Sequence, residues 1–198
     1  MHGETAHAKG ADGTALAKKW LEHTTRAQVW WEQPNPNDVR KLTFARPGGS
    51  FSFDMGGILS GGEFHNQFFH AEVKHYKDAS NQRKMYREYL AKCFRAYSLS
   101  PQRCDQFMWI TWSAFCTTEW SKLDSPEMVA DSVVEHWYYN YTSLDEAACA
   151  PPDPATLAEV ADRLWILVLS RKQIDHLTMT REHLGVIARY KVGAEVSR

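Results

Sequence analysis

The alternation of apolar and polar positions divides the chain into helical and extended stretches. From Thr14 to about Trp31, the residues Leu16, Trp20, Leu21, Ala27 and Val29 form a loose apolar stripe at helical spacing, which Gln33-Pro34-Asn35-Pro36 stops. Lys41 to Phe44 reads as a short strand, and Arg46-Pro47-Gly48-Gly49 as a turn. Phe51–Leu59 and Gln67–Tyr76 read as the two strands of a hairpin closed around Ser60-Gly61-Gly62. Asp78 to Asn81 offers N-cap chemistry to a strong helix reaching Tyr97, which Ser100-Pro101 breaks. Gln106–Phe115 is an apolar strand. Ser125-Pro126-Glu127 places a proline in the first turn of a helix running to about Tyr139. Past the linker Pro151-Pro152-Asp153-Pro154, the pattern predicts a helix to about Leu164, a strand Trp165–Ser170 and a last helix Thr180–Tyr190. This order predicts an α/β fold, a central mixed β-sheet flanked by helices.

Composition narrows the class. A chain of 198 residues with 43% hydrophobic and 24% charged residues has ordinary globular make-up and enough length for its own core. The longest apolar run, Trp165-Ile166-Leu167-Val168-Leu169, is far short of the ~20 residues that span a bilayer. The N-terminus is polar, with no apolar signal segment, so a cytoplasmic location is expected. Cys93, Cys104, Cys116 and Cys149 show no CxxC pairing and read as reduced thiols. The net charge is −1 but uneven: residues 71–97 carry a local +4, residues 119–162 a local −9 and residues 163–198 again +4. A strong non-specific polyanion binder is therefore not expected. A local basic face remains open, as does the plainer reading in which acidic and basic stretches face each other or solvent.

Candidate chemistry is concentrated between Asp54 and Tyr86. On a regular strand Phe51, Phe53 and Met55 share one face and Asp54 takes the other. On the next strand Ala71 and Val73 share a face, and Glu72 and Lys74 project together from the opposite one. Pairing of the two strands brings Asp54, Glu72 and Lys74 to one end of the sheet. Two carboxylates with nearby backbone carbonyls suit a hard divalent cation such as Mg²⁺. A lysine beside them can orient a water or stabilise charge developing on a phosphate. The same residues would equally make an ordinary ion pair on a solvated sheet face. There is no HExxH, no zinc-deaminase signature and no GxxxxGK[ST] loop. Glu63, His65, His70 and His75 cluster around the hairpin; His70 shares the Glu72 face, although histidines there are expected mostly at the surface.

Asp54, then Glu72-x-Lys74, then Gln82-x-x-x-Tyr86 resembles the motif set of the PD-(D/E)xK nuclease superfamily. The Gln-x-x-x-Tyr element is similar to the one that follows the active-site lysine in RecB-type nucleases. Trp109–Phe115 resembles the next core strand of Mrr-type restriction endonucleases, and Lys9-Gly10 with Ala15–Glu22 looks like their first helix. The resemblance covers roughly residues 9–118. It implies a restriction endonuclease-like core over 1–118, metal-dependent phosphodiester hydrolysis and a DNA substrate, with 119–198 as an acidic, helical extension packing on that core. It further implies that Asp54 and Glu72 bind Mg²⁺, for which Mn²⁺ can substitute, with the Val73 carbonyl as a further ligand. Lys74 would position the attacking water or offset phosphate charge, and Gln82 and Tyr86 would orient the site or touch substrate. Many relatives carry a glutamate on the first helix where this chain has Thr14, and Glu22 lies two turns further on.

Gln82, Met85, Tyr86, Tyr89, Leu90, Cys93 and Tyr97 also form a stripe that would pack on a sheet in any fold. Lys77, Arg83, Lys84 and Arg87 are candidate DNA contacts, or simply a solvated basic face. Two function classes follow. One is a Mg²⁺-dependent DNA nuclease, an endonuclease of restriction, defence or repair, for which a homodimer would suit cutting of two strands. The other is an inactive nuclease-fold module that binds DNA or a protein partner, with residues 119–198 as the partner surface.

Overall fold

A five-stranded mixed sheet carries helices on both faces in the computed structural model, which describes residues 3–75 and 81–196. In chain order the elements are α1 (Gly3–Thr24), β1 (Ala27–Glu32), α2 (Pro36–Leu42), β2 (Thr43–Arg46), β3 (Gly49–Ser52), β4 (Met55–Leu59) and β5 (Phe68–Lys74). There follow α3 (Gln82–Leu99), β6 (Gln106–Thr111), α4 (Pro126–Glu135), α5 (Leu144–Cys149), α6 (Pro154–Asp162), β7 (Leu164–Val168), α7 (Arg171–His176) and α8 (Arg181–Val196). The strands lie in the order β1-β4-β5-β6-β7. The β1–β4 and β4–β5 pairs are antiparallel, whereas β5, β6 and β7 are mutually parallel. β2 and β3 form a separate antiparallel ribbon.

Each face has its own core. On one, Ala17 and Leu21 of α1 cover Val29, Met55, Phe69, Ala71, Val73, Met108 and Ile110. On the other, Tyr86, Tyr89 and Cys93 of α3 pack with Phe44, Phe51, Phe53, Phe107 and Trp109, and α4 and α6 add Val129, Val133, Leu157 and Val160. The alternation along β5 therefore puts Ala71 and Val73 towards α1, and Glu72 and Lys74 towards α3. Residues 119–198 supply β7 to the sheet and α4 and α6 to the second core, so this segment is built into the same body as residues 3–118.

Several boundaries depart from the sequence expectation. The stretch expected as one helix to Trp31 ends at Thr24, where the hydroxyls of Thr24 and Thr25 bond back to the carbonyls of Trp20 and Leu21. Ala27 and Val29 are buried, alternating with exposed Gln28 and Trp30: period two, a strand. β1 approaches β4 so closely that a Cβ on Gly57 would lie 1.9 Å from the Gln28 carbonyl oxygen. Lys41 and Leu42 end α2, with Asn35 as its N-cap, and the strand begins only at Thr43. The expected strand Phe51–Leu59 is broken at Phe53-Asp54: Phe51 and Phe53 enter the α3-side core and Met55 the α1-side core, so the three do not share a face. β6 stops at Thr111 rather than Phe115. α4 stops at Glu135 and is followed by a 3-10 turn, Trp137–Tyr139. The segment Tyr76–Ser80, on which much of the expected N-cap falls, lies outside the described residues; Asn81 makes no side-chain cap bond to α3.

Candidate active site

Asp54 sits where β4 leaves its ladder with β5. The register ends at Met55 opposite Ala71, and beyond it Asp54 continues the connection by other means. Its amide donates to the Ala71 carbonyl (3.0 Å), and its Oδ2 accepts the Val73 amide (2.7 Å). The Gln33 amide closes the other side by donating to the Asp54 carbonyl (2.9 Å). The break at Phe53 is thus what delivers a carboxylate to the Glu72 end of the strand.

Glu72 is 5% exposed and faces α3. Its Oε1 accepts from two ammonium groups: Lys74 Nζ at 2.8 Å and Lys92 Nζ at 3.4 Å. Its Oε2 is buried with no hydrogen-bond partner among the described residues. A buried carboxylate oxygen left unpaired is expensive, because desolvation is not returned by a bond. The charges of the cluster shape its titration. Burial, and then the neighbouring Glu72 charge, push the Asp54 carboxyl up to about 6, against the pull of Lys74 and of the Val73 amide. Burial also opposes ionisation of Glu72, but Lys74 and Lys92 together outweigh it and hold that carboxyl below its usual range.

The remaining motif residues divide. Gln82, in the first turn of α3, is buried; its Oε1 accepts from Thr111 Oγ1 (3.0 Å), and Thr111 lies opposite Lys74 in the β5–β6 register. The Gln82 Nε2 is a buried donor with no partner among the described residues. Tyr86 is directed elsewhere. Its hydroxyl donates to the Leu123 carbonyl (2.8 Å), its ring packs on Trp109 and Phe115, and burial pushes its ionisation far up. The pair expected to act together therefore has one member beside the carboxylate cluster and one in the core. Val73 contributes its amide to Asp54 and buries its side chain on the α1 side. Glu22 on α1 is engaged away from this cluster, its Oε1 accepting from the Val29 amide.

Lys92 is the member that sequence reasoning missed. It stands as the single charged residue in the run Tyr89-Leu90-Ala91-Lys92-Cys93-Phe94, of which the other five are buried. That lone charge in an apolar helical run was the available signal.

Of the candidate DNA contacts, Lys77 lies outside the described residues. Lys84 is exposed, and Arg83 pairs with Glu119 (3.1 Å) while remaining largely exposed. Arg87 is mostly covered and held by Glu135 (2.9 Å) and Asp131 (3.6 Å). Part of the basic face of α3 is thus neutralised by the acidic segment. His70, expected near the surface, is 1% exposed. Its Nε2 faces the Arg103 carbonyl (2.9 Å), its ring stacks on Phe53, and burial lowers its pKa to about 4, so it is a neutral core residue.

Among the described residues no cluster of three or more His, Cys, Asp or Glu side chains is assembled for a metal, so Asp54 and Glu72 are the carboxylates on offer. That set fits Mg²⁺, which binds through one or two carboxylates, retains waters and takes further oxygens from a phosphate substrate. The unpaired Glu72 Oε2 and the raised pKa of Asp54 are what a cation placed between them would relieve. No helix among the described residues is long and apolar enough to cross a membrane. Comparison of the chain with protein-family models, curated proteins and solved structures returns no match.

Proposed function

We propose that this chain is a divalent-cation-dependent DNA nuclease of the PD-(D/E)xK kind, an endonuclease of restriction, defence or repair type, with Asp54, Glu72 and Lys74 as its working residues. The observation that carries this reading is Glu72: a carboxylate kept charged by two lysines, buried, with one oxygen unpaired among the described residues and a second carboxylate beside it. A structural ion pair gains nothing from that arrangement, since buried pairs stabilise only when their remaining lone pairs are satisfied.

Asp54 and Glu72 hold the Mg²⁺ or Mn²⁺. The bound cation supplies Lewis acidity that offsets the charge developing on the phosphoryl oxygens. Asp54 is fixed in place by the Val73 amide, so its carboxylate needs no reorganisation when a ligand arrives. Lys74 is the last residue of β5, at 17% side-chain exposure, where its ammonium can orient a water or meet a phosphate oxygen. Gln82 is tied to the same end of the sheet through Thr111, which lies opposite Lys74, and its amide donor has no partner among the described residues. The resemblance to nucleases is what makes DNA the substrate; the geometry supports hydrolysis of a phosphodiester without naming the polymer.

One observation favours a second reading, an inactive module of the same fold: Glu72 Oε1 is already occupied by two ammonium groups. Incubation of the pure protein with supercoiled and linear DNA in Mg²⁺, Mn²⁺ or EDTA, alongside Lys74→Ala, separates the two. The expected result is cation-dependent cutting that falls at least about 10²-fold in the variant. Wild type that cuts under neither cation, or a variant that cuts as well as wild type, overturns the nuclease reading.

A further inference from the structure

We infer that Lys92 is a positioning residue for Glu72: it pins one carboxylate oxygen from the helix side, so that the other alone is presented to a divalent cation. This rests on the reading of Asp54 and Glu72 as cation ligands.

Lysine is seldom buried without a counter-charge. Lys92 has 14% of its side chain exposed, on the face of α3 that packs on the sheet, between buried Ala91 and Cys93. Its ammonium is 3.4 Å from Glu72 Oε1, the oxygen that Lys74 reaches at 2.8 Å. The two lysines come from different layers, Lys74 from β5 itself and Lys92 from the helix above it. A carboxylate gripped from two directions at one oxygen cannot turn its plane freely, which leaves Oε2 as the atom available to a ligand. With Oε1 engaged, Glu72 meets a cation through one oxygen, and a net charge near zero over two carboxylates and two ammoniums keeps cation affinity low until a phosphate adds its own oxygens.

The helix turn that carries Lys92 is braced from the acidic segment. The Tyr139 ring lies 6.0 Å from Lys92 Nζ, its hydroxyl donates to Glu88, and Asn140 Nδ2 donates to the Ala91 carbonyl (3.3 Å). Residues 137–140 therefore reach the carboxylate cluster through Lys92, which gives the segment beyond residue 118 a mechanical tie to the site.

The test compares wild type with Lys92→Met, Lys92→Arg, Glu72→Gln and the Glu72→Gln/Lys92→Met double variant. Two readouts are taken: Mn²⁺ binding without DNA, and thermal melting in EDTA. Removing the ammonium leaves Oε1 held by Lys74 alone, lets the carboxylate turn and deletes a competing charge, so Lys92→Met should bind Mn²⁺ at least about tenfold more tightly than wild type. Lys92→Arg keeps the charge and should stay within about threefold of wild type. In EDTA the double variant should melt above Lys92→Met, because a neutral amide at position 72 needs no counter-ion. Unchanged or weaker Mn²⁺ binding by Lys92→Met, or melting shifts of the two single variants that simply add, overturns the inference. Should wild type bind no Mn²⁺ at all, the nuclease reading fails, and the melting cycle still decides whether Lys92 positions Glu72. Should Lys92→Met not fold, rescue by the double variant supports the inference and failure of both overturns it.

Discussion

His70 and Glu72 stand two residues apart on one strand, point to the same face of the same sheet and are both almost wholly buried, yet they meet opposite fates. His70 is closed in by Phe44, Phe53 and Phe107, donates from Nε2 to the Arg103 carbonyl, keeps a buried Nδ1 without a partner among the described residues and is neutral. Glu72 is charged, shares one oxygen between two lysines and keeps the other without a partner among the described residues. The first is a polar residue absorbed into a core. The second is a charge that its two lysines hold ionised against burial. Both keep one buried polar atom without a partner among the described residues; what sets Glu72 apart is a retained charge, held by two lysines beside a second carboxylate, and the proposed nuclease reading rests on that difference.

The comparison breaks most visibly in activity. Glu72→Gln keeps the shape and removes the charge, and it should lower cleavage by about 10³-fold or more. His70→Phe should leave the rate of DNA cleavage within about threefold of wild type. The Phe variant acts on stability instead, costing about 1–2 kcal/mol at neutral pH because the Arg103 carbonyl loses its donor. Its pH dependence has a definite sign. The folded pKa of about 4 lies below the ordinary 6.5, so the folded protein holds fewer protons than the unfolded chain between those values. Wild type should therefore lose up to about 3 kcal/mol from this group as pH falls from 6.5 to 4, whereas His70→Phe is spared that loss. Denaturant melts of both proteins in EDTA at pH 7.5 and 4.5 check it: the deficit of the variant should shrink or reverse at the lower pH. A cleavage defect in His70→Phe as large as that of Glu72→Gln would erase the distinction drawn between the two positions.

Asp54 sharpens the comparison from the other side. Its folded pKa of about 6 lies above the ordinary 3.8, so ionising it costs the folded state stability, progressively between pH 3.8 and 6 and fully above pH 6. Asp54→Asn keeps an acceptor for the Val73 amide and removes that charge. The cation-free variant should be on the order of 2 kcal/mol more stable than wild type at pH 8, with the gain vanishing towards pH 4, while cleavage is lost. Melting in EDTA across that range is the measurement. A variant less stable than wild type at pH 8 would make Asp54 a structural residue.

How much of this is legible in the sequence depends on how local each signal is. Glu72 and Lys74 are two apart on one strand, so strand geometry alone puts them on one face, and the structure places them there. Asp54 is reached in the sequence for the wrong local reason. Regular alternation through Phe51, Phe53 and Met55 predicts its direction, whereas a break at Phe53-Asp54 is what turns the carboxylate to Val73. β1 is hidden because Ala27 and Val29 fit a helical stripe as well as a strand, and only its partner Gly57, well along the chain, decides between them. Lys92 and Tyr86 are illegible for one shared reason. Both lie on α3, and which side chain meets a carboxylate and which meets the Leu123 carbonyl depends on what packs above the helix. The Leu123 carbonyl that takes Tyr86 and the Tyr139 ring beside Lys92 both come from residues 119–141, for which the sequence offers no motif.

The smallest expected effects lie on the outer side of α3, where the basic residues differ among themselves. Arg87 is held between Glu135 and Asp131 with most of its side chain covered, so its charge is already answered from within the chain. Arg83 is 58% exposed and, among the described residues, pairs with Glu119. If duplex DNA approaches the cluster past this helix, Arg83→Ala should weaken DNA binding by a few-fold and reduce the slope of log affinity against log salt by about 1, with a stability change below about 0.5 kcal/mol. Arg87→Ala should do the reverse, costing about 1 kcal/mol by unpairing α4 from α3 while leaving the salt slope unchanged. Titrations of catalytically dead Glu72→Gln protein carrying each change, at several salt concentrations, read the two apart. Equal slopes for both would place the DNA path away from this helix.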